Sequence, residues 1–347
     1  MKKKIEIMIL TLIIIAIIFP TEEAMKINYL ENNYKIKYNN NILYVGGSGQ
    51  DNYTKIQDTI DNASDGDTIF VFDESSPYYE LLYITYKSIN LMGENKNTTV
   101  LDGMNKSNVI YINGDNIKIS GFTIRNSSKT GSNHCAGIFS YMKSDYIKII
   151  GNNLCNNYFG IYFYYPDPHN ELNPSATFPQ SNNSILKNNI SKNCIGIKLI
   201  YSSNNKIYNN NIINNGWGIK LLGGSTENMV YLNNFINNTI NAYNENSNLW
   251  FNPQLIKGNY WDNYNGSDLL PPKGIGDKPY IFSKNGIDLF PLIKPYEKYQ
   301  NIDNSPMIKF NIFKSKRCQN RDLIVSLKNI FPNYLKIKSY KSIFREV

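Results

Sequence analysis

The dipeptide Gly-Ile recurs in the middle of the chain at Gly137, Gly160, Gly196 and Gly218, at intervals of 23, 36 and 22 residues. The longest interval contains an excursion, Pro166–Gln180, and removing it restores the period. A repeat of this length, built from short segments, restricts the chain to a solenoid. Each unit is too small to bury its own apolar face and must bury it against the next.

Two apolar columns keep the same phase. One is Ile124, Leu154, Ile190, Ile212 and Phe235; the other, five residues earlier, is Ile119, Ile149, Ile185, Ile207 and Val230. Asn153, Asn189, Asn211 and Asn234 precede the first column, and Asn157, Asn193, Asn215 and Asn238 follow it by three. After each Gly-Ile the chain alternates, as in Ile197-Lys198-Leu199 and Ile219-Lys220-Leu221, which is the period of a half-buried strand. Apolar runs stop at Asn or Gly after a few residues, too soon for helical repeats. Each unit therefore reads as one coil of a parallel β-helix. Asparagine is expected at the corners, where it tolerates left-handed backbone and pairs with identical side chains above and below.

The formal charge of +8 is unevenly placed. Residues 294–347 hold 12 basic and 4 acidic side chains, so the rest of the chain is neutral. A neutral wall excludes a nucleic-acid groove, which needs clustered Lys and Arg. At the other end Lys2-Lys3-Lys4 precedes an apolar run within residues 5–19, short for a membrane span but fitting a secretory signal. Residues 1–24 are thus expected to be a signal peptide or signal anchor, and the product is expected outside the cell or at its surface. Membrane contact is expected only through that segment and the basic tail. Cys135 and Cys194 share a column with one coil between them, too far apart for a disulfide, and with Cys155 they read as buried, inert thiols.

A solenoid must cover its open ends. Ile56, Ile60 and Ala63 form the stripe of a short capping helix, followed by strands at Thr68–Phe72, Ile89–Gly93 and Thr99–Gly103. Here Tyr53-Thr-Lys-Ile-Gln57, Gly66-Asp67-Thr-Ile-Phe-Val71, Leu91-Met-Gly93 and Leu101-Asp-Gly103 resemble the opening coil of NosD-like, CASH-domain β-helix proteins. Gly258-Asn-Tyr-Trp-Asp262, Gly274-Ile-Gly-Asp277-Lys-Pro-Tyr280 and Asp288-Leu-Phe-Pro-Leu292 are similar to the closing segment of archaeal surface members. The resemblance implies an all-β, single-stranded right-handed parallel β-helix over residues 42–293, with a weakly structured basic tail at 294–347.

Function is less constrained. Hydrolases on this fold use paired carboxylates, and residues 104–246 contain few acids and no acidic column. The leading expectation is a non-catalytic surface protein that binds carbohydrate or another envelope component, with Tyr162, Tyr164 and Tyr165 as its stacking face. The alternative is a polysaccharide lyase or glycoside hydrolase using Asp167 and Glu171, with His169 between them. A purely structural surface-layer element is the third reading. Asp262, Asp268 and Asp277 are the candidate ligands for a hard cation in the closing segment. The NosD resemblance carries a copper association. Yet the chain has two histidines, His134 and His169, far apart, and no paired soft-ligand motif, so no cofactor is expected.

Overall fold

The computed structural model describes residues 41–129, 135–142, 144–166 and 180–296. These residues wind into a right-handed parallel β-helix with three sheets along its sides, in which each strand pairs with the equivalent strand of the neighbouring coil. The first sheet runs through eight strands, from Ile42–Val45 to Met229–Tyr231. The second has seven, from Val100–Asp102 to Tyr260–Trp261, and the third has seven, from Leu82–Thr85 to Ile240–Asn244.

The registers place the expected columns in line. Ile119, Ile149, Ile185, Ile207 and Val230 are consecutive partners in the first sheet. Ile124, Leu154, Ile190, Ile212 and Phe235 are consecutive partners in the second. All are fully buried, and each such side chain contributes about 1.5–3 kcal/mol relative to exposure. The third sheet adds Ile138, Ile161, Ile197 and Ile219 to the same core.

The Gly-Ile repeat has a steric cause. A Cβ on Gly160 would lie 2.5 Å from the carbonyl oxygen of Gly196, and one on Gly196 would lie 2.6 Å from that of Gly218. Successive coils approach backbone to backbone at this corner, and only glycine leaves the room.

The asparagines are arranged differently from the sequence expectation. Asn157, Asn193, Asn215 and Asn238 do form a buried ladder: each backbone N–H donates to the Oδ1 of the next, at 2.9–3.0 Å. The column beside the second sheet, however, is not Asn153, Asn189, Asn211 and Asn234, which begin strands and mostly stand half-exposed. The ladder residues are their predecessors, Asn152, Asn188, Asn210 and Asn233, continued by Asn259. A third ladder, Asn183, Asn205, Asn228 and Asn248, fills the remaining corner. The left-handed residue is a separate one. Lys187, Lys192, Asn204, Asn209 and Asn214 each have φ between 56° and 58° and immediately precede a ladder asparagine. Turning the chain and bonding the coils are therefore tasks of adjacent positions.

Both ends are covered. The helix Ile56–Asn62 buries Ile56, Thr59 and Ile60. Glu80 accepts from the first two helical N–H groups, Ile56 and Gln57, and the Lys87 ammonium donates to the carbonyls of Ile60, Asp61 and Ala63. A carboxylate at the positive end and an ammonium at the negative end complement the helix dipole. At the far end Trp261 stacks on Phe235 at 4.2 Å, and Tyr280 and Phe282 pack over Trp261. The antiparallel hairpin of Tyr280–Ser283 and Gly286–Asp288 carries these rings. No helix among the described residues is long and apolar enough to cross a membrane.

Candidate functional site

The third sheet shows the most distinctive surface. Its strands alternate, so the residue after the buried Ile of each Gly-Ile points outward. Register aligns these residues into one column: Tyr83, Tyr111, Phe139, Tyr162, Lys198, Lys220 and Tyr243. One such side chain comes every ~4.8 Å along the solenoid. Neighbouring rings lie 5.9, 5.7 and 5.3 Å apart from Tyr83 to Tyr162. Flanking positions add Phe159, Ile195, Trp217 and Ile240 on one side and Tyr141, Tyr164, Ile200 and Leu222 on the other.

The column changes character along its length. In its first half Phe139, Phe159 and Tyr162 form an apolar cluster of their own, outside the main core. In its second half two ammonium groups lie over rings. Lys198 sits 4.7 Å from the Tyr162 centroid and 4.9 Å from that of Phe159. Lys220 sits 4.0 Å from Trp217 and 5.9 Å from Tyr243. Partial burial, and then the charge of Lys220, hold the Lys198 ammonium below the ordinary lysine range. The seven strands contain no Asp or Glu. These strands thus offer aromatic surface and positive charge and supply no carboxylate of their own.

The structure corrects the expected stacking face. Tyr162 is 2% exposed and Tyr165 7% exposed, so neither presents an open ring. Burial among the neighbouring rings pushes the Tyr162 hydroxyl well above the usual tyrosine range. Tyr164 remains half-exposed and stacks on Tyr141 at 5.8 Å. Asp167, His169 and Glu171 lie outside the described residues. Lys198, Lys220, Trp217 and Tyr243 were missed, although the place two beyond each repeat glycine marks the two lysines in the sequence.

The acidic candidates do not converge. Asp262 accepts from the Asn237 N–H and from Asn241, and Asp268 accepts from the Gly274 N–H. Asp277 accepts from Ser267 and from the N–H groups of Leu269 and Leu270; desolvation raises its carboxyl, and these bonds together with the Lys273 charge outweigh it and hold the group below the usual range. Asp268 and Asp277 tie down the same loop, residues 267–277, while Asp262 holds Asn237 and Asn241. Among the described residues no three His, Cys, Asp or Glu side chains are grouped to hold a metal ion. The thiols also differ from expectation: Cys194 is exposed, and Cys135 and Cys155 are half-buried.

A family model described as periplasmic copper-binding protein (NosD) matches residues 60–266. Among curated proteins none matches. Solved structures similar to this chain include pectin methylesterase PemA from Erwinia chrysanthemi, at 15% identity and a TM-score of 0.41, covering 64% of this chain and 77% of that one. An alginate lyase from a Paenibacillus strain matches at 14% identity and a TM-score of 0.31, covering 63% and 97%. The described residues do not fit the copper of the family description. Copper(I) takes converging thiolate, thioether or imidazole donors, whereas the described cysteines are not grouped with other metal-ligating side chains and burial raises the Cys155 thiol above its ordinary range. His134 and His169 lie outside the described residues.

Proposed function

The chain belongs to the NosD family of parallel β-helix proteins, and on that premise we propose that it is an exported, non-catalytic surface protein whose third sheet binds carbohydrate. The observation that carries this reading is the rings left open in the outward column, Tyr83 and Tyr111 towards one end and Tyr243 with Trp217 towards the other. Flat rings with polar tips stack on the apolar faces of sugars while leaving the hydroxyls in water. Export is supported by the basic and apolar N-terminal segment and by the periplasmic description of the family.

The test is retention of the full chain on a panel of immobilised neutral and acidic polysaccharides, with new reducing and unsaturated chain ends assayed in the same samples. The expected result is retention without new chain ends, weakened by Trp217→Ala and Tyr243→Ala. New chain ends that vanish in an Asp167→Ala, Glu171→Ala double variant overturn the reading in favour of a lyase or hydrolase. Retention on no polysaccharide overturns it in favour of a structural wall.

A further inference from the structure

We propose, resting on the reading of the third sheet as a carbohydrate-binding wall, that its ligand is an acidic polysaccharide whose uronate carboxylates are taken by Lys198 and Lys220. The two lysines are direct register partners on adjacent coils. Like charges placed opposite each other across a strand pair destabilise the sheet. Nothing in the described residues relieves this: the one ion pair among them is Arg125–Asp102, on the second sheet. Each ammonium is instead drawn over aromatic faces, which recovers part of the desolvation.

Charge complementarity therefore selects an anion. The outward rings select its carrier. Trp217 meets Tyr243 edge to face at 6.4 Å, beside Lys220, so cation and stacking surface are presented together. A polymer lying across Lys198, Lys220 and Tyr243 meets one side chain per coil, a step of ~4.8 Å that is close to the length of one pyranose unit. A polyuronate carries one carboxylate per such unit, matching two lysines on consecutive coils. Residues 42–293 hold 18 basic and 20 acidic side chains, a net charge of −2. The pair is thus a local feature and not a patch of general basicity, which separates it from the extended positive surface that nucleic acids require.

The test uses the full chain and three probes. Polygalacturonate and its fully methyl-esterified form share a backbone and differ in charge; a single-stranded oligonucleotide supplies a polyanion without sugars of this kind. The chain is expected to bind polygalacturonate at least about tenfold more tightly than the ester, with affinity falling as salt rises. A Lys198→Gln, Lys220→Gln double variant is expected to lose at least about tenfold for the acid form alone, the loss of one charge-assisted hydrogen bond. A Lys198→Arg, Lys220→Arg variant keeps the charge and is expected to retain binding, which separates lost charge from lost folding. Equal affinity for acid and ester leaves carbohydrate binding standing and overturns this inference. So does acid binding that survives the glutamine variant, or an oligonucleotide bound as tightly as the polyuronate. Retention of neither pectin form also overturns it, and the neutral members of the wider panel then decide the broader reading alone.

Discussion

Asp288 ties the stability of the closing end to pH. Its side chain is fully buried. One oxygen accepts from the Asn259 N–H at 2.7 Å, the Trp261 indole at 2.9 Å and the Asn259 amide at 3.3 Å; the other accepts from the Phe290 N–H at 3.0 Å. Burial pushes its carboxyl up to about 7, against the pull of those donors. The unfolded chain releases this proton near 3.8, while the folded chain keeps it to about 7. The contribution is thus complete below pH 3.8 and is lost as pH rises through 7. Three units of difference correspond to about 4 kcal/mol. Trp250 and Trp261 both pack at this end, so urea unfolding followed by tryptophan emission reports it. Between pH 4.5 and 8 the wild type should lose stability as pH rises, and Asp288→Asn, which keeps an acceptor but cannot titrate, should lose the slope. The window avoids Asp102 and Asp277, whose lowered values give the opposite slope, with stability lost as pH falls below about 4. Parallel profiles for the two proteins, or a wild type that gains stability with pH, would refute the reasoning.

Adjacent asparagines give a sharper contrast. Asn210→Ala removes a rung that donates to Ile185, Tyr208 and Asn233 and accepts from Asn188, so buried groups lose their partners and about 3 kcal/mol or more should be lost. Asn211→Ala, one residue on, should cost about 1 kcal/mol or less in the same urea titration, since the side chain stands outside the core. Gly196→Ala should lower the thermal midpoint by several degrees, because its Cβ would meet the Gly218 carbonyl. Cys194 should react with a thiol reagent faster than Cys155 in the native protein, with mass-mapped labelling as the readout.

The fold was legible because its strongest constraint is repeated. Backbone contact at Gly160 and Gly196, and the isoleucines stacked behind them, are imposed at every coil, so the same residues recur at the same spacing. In Asn152-Asn153 and Asn210-Asn211 composition is silent about which member turns inward, and only the register of the neighbouring coils decides it. The outward column was harder to read because no core constrains it. Its members pass from tyrosine to lysine without changing the fold. Tyr162 was harder still to read: it points outward, yet it is 2% exposed, with Phe139 and Phe159, 23 and 3 residues away in sequence, packed beside it. The acids of the excursion, Asp167 and Glu171, stand outside the described residues.

The ladders also have a direction. Each rung's N–H donates to the next coil's oxygen, never the reverse, so every interior coil has the same donor face and the same acceptor face. Any interior coil can therefore follow any other. A duplicated 22- or 23-residue unit slots between two rungs with every bond remade, whereas a partial unit breaks three ladders at once. The wall is in this sense a ruler that can be lengthened by whole marks, and the length of its third-sheet face is set by the number of coils and not by redesign of that face. Only two places refuse the exchange: the helix held by Glu80 and Lys87, and the last rung, where a carboxylate takes the place of an amide.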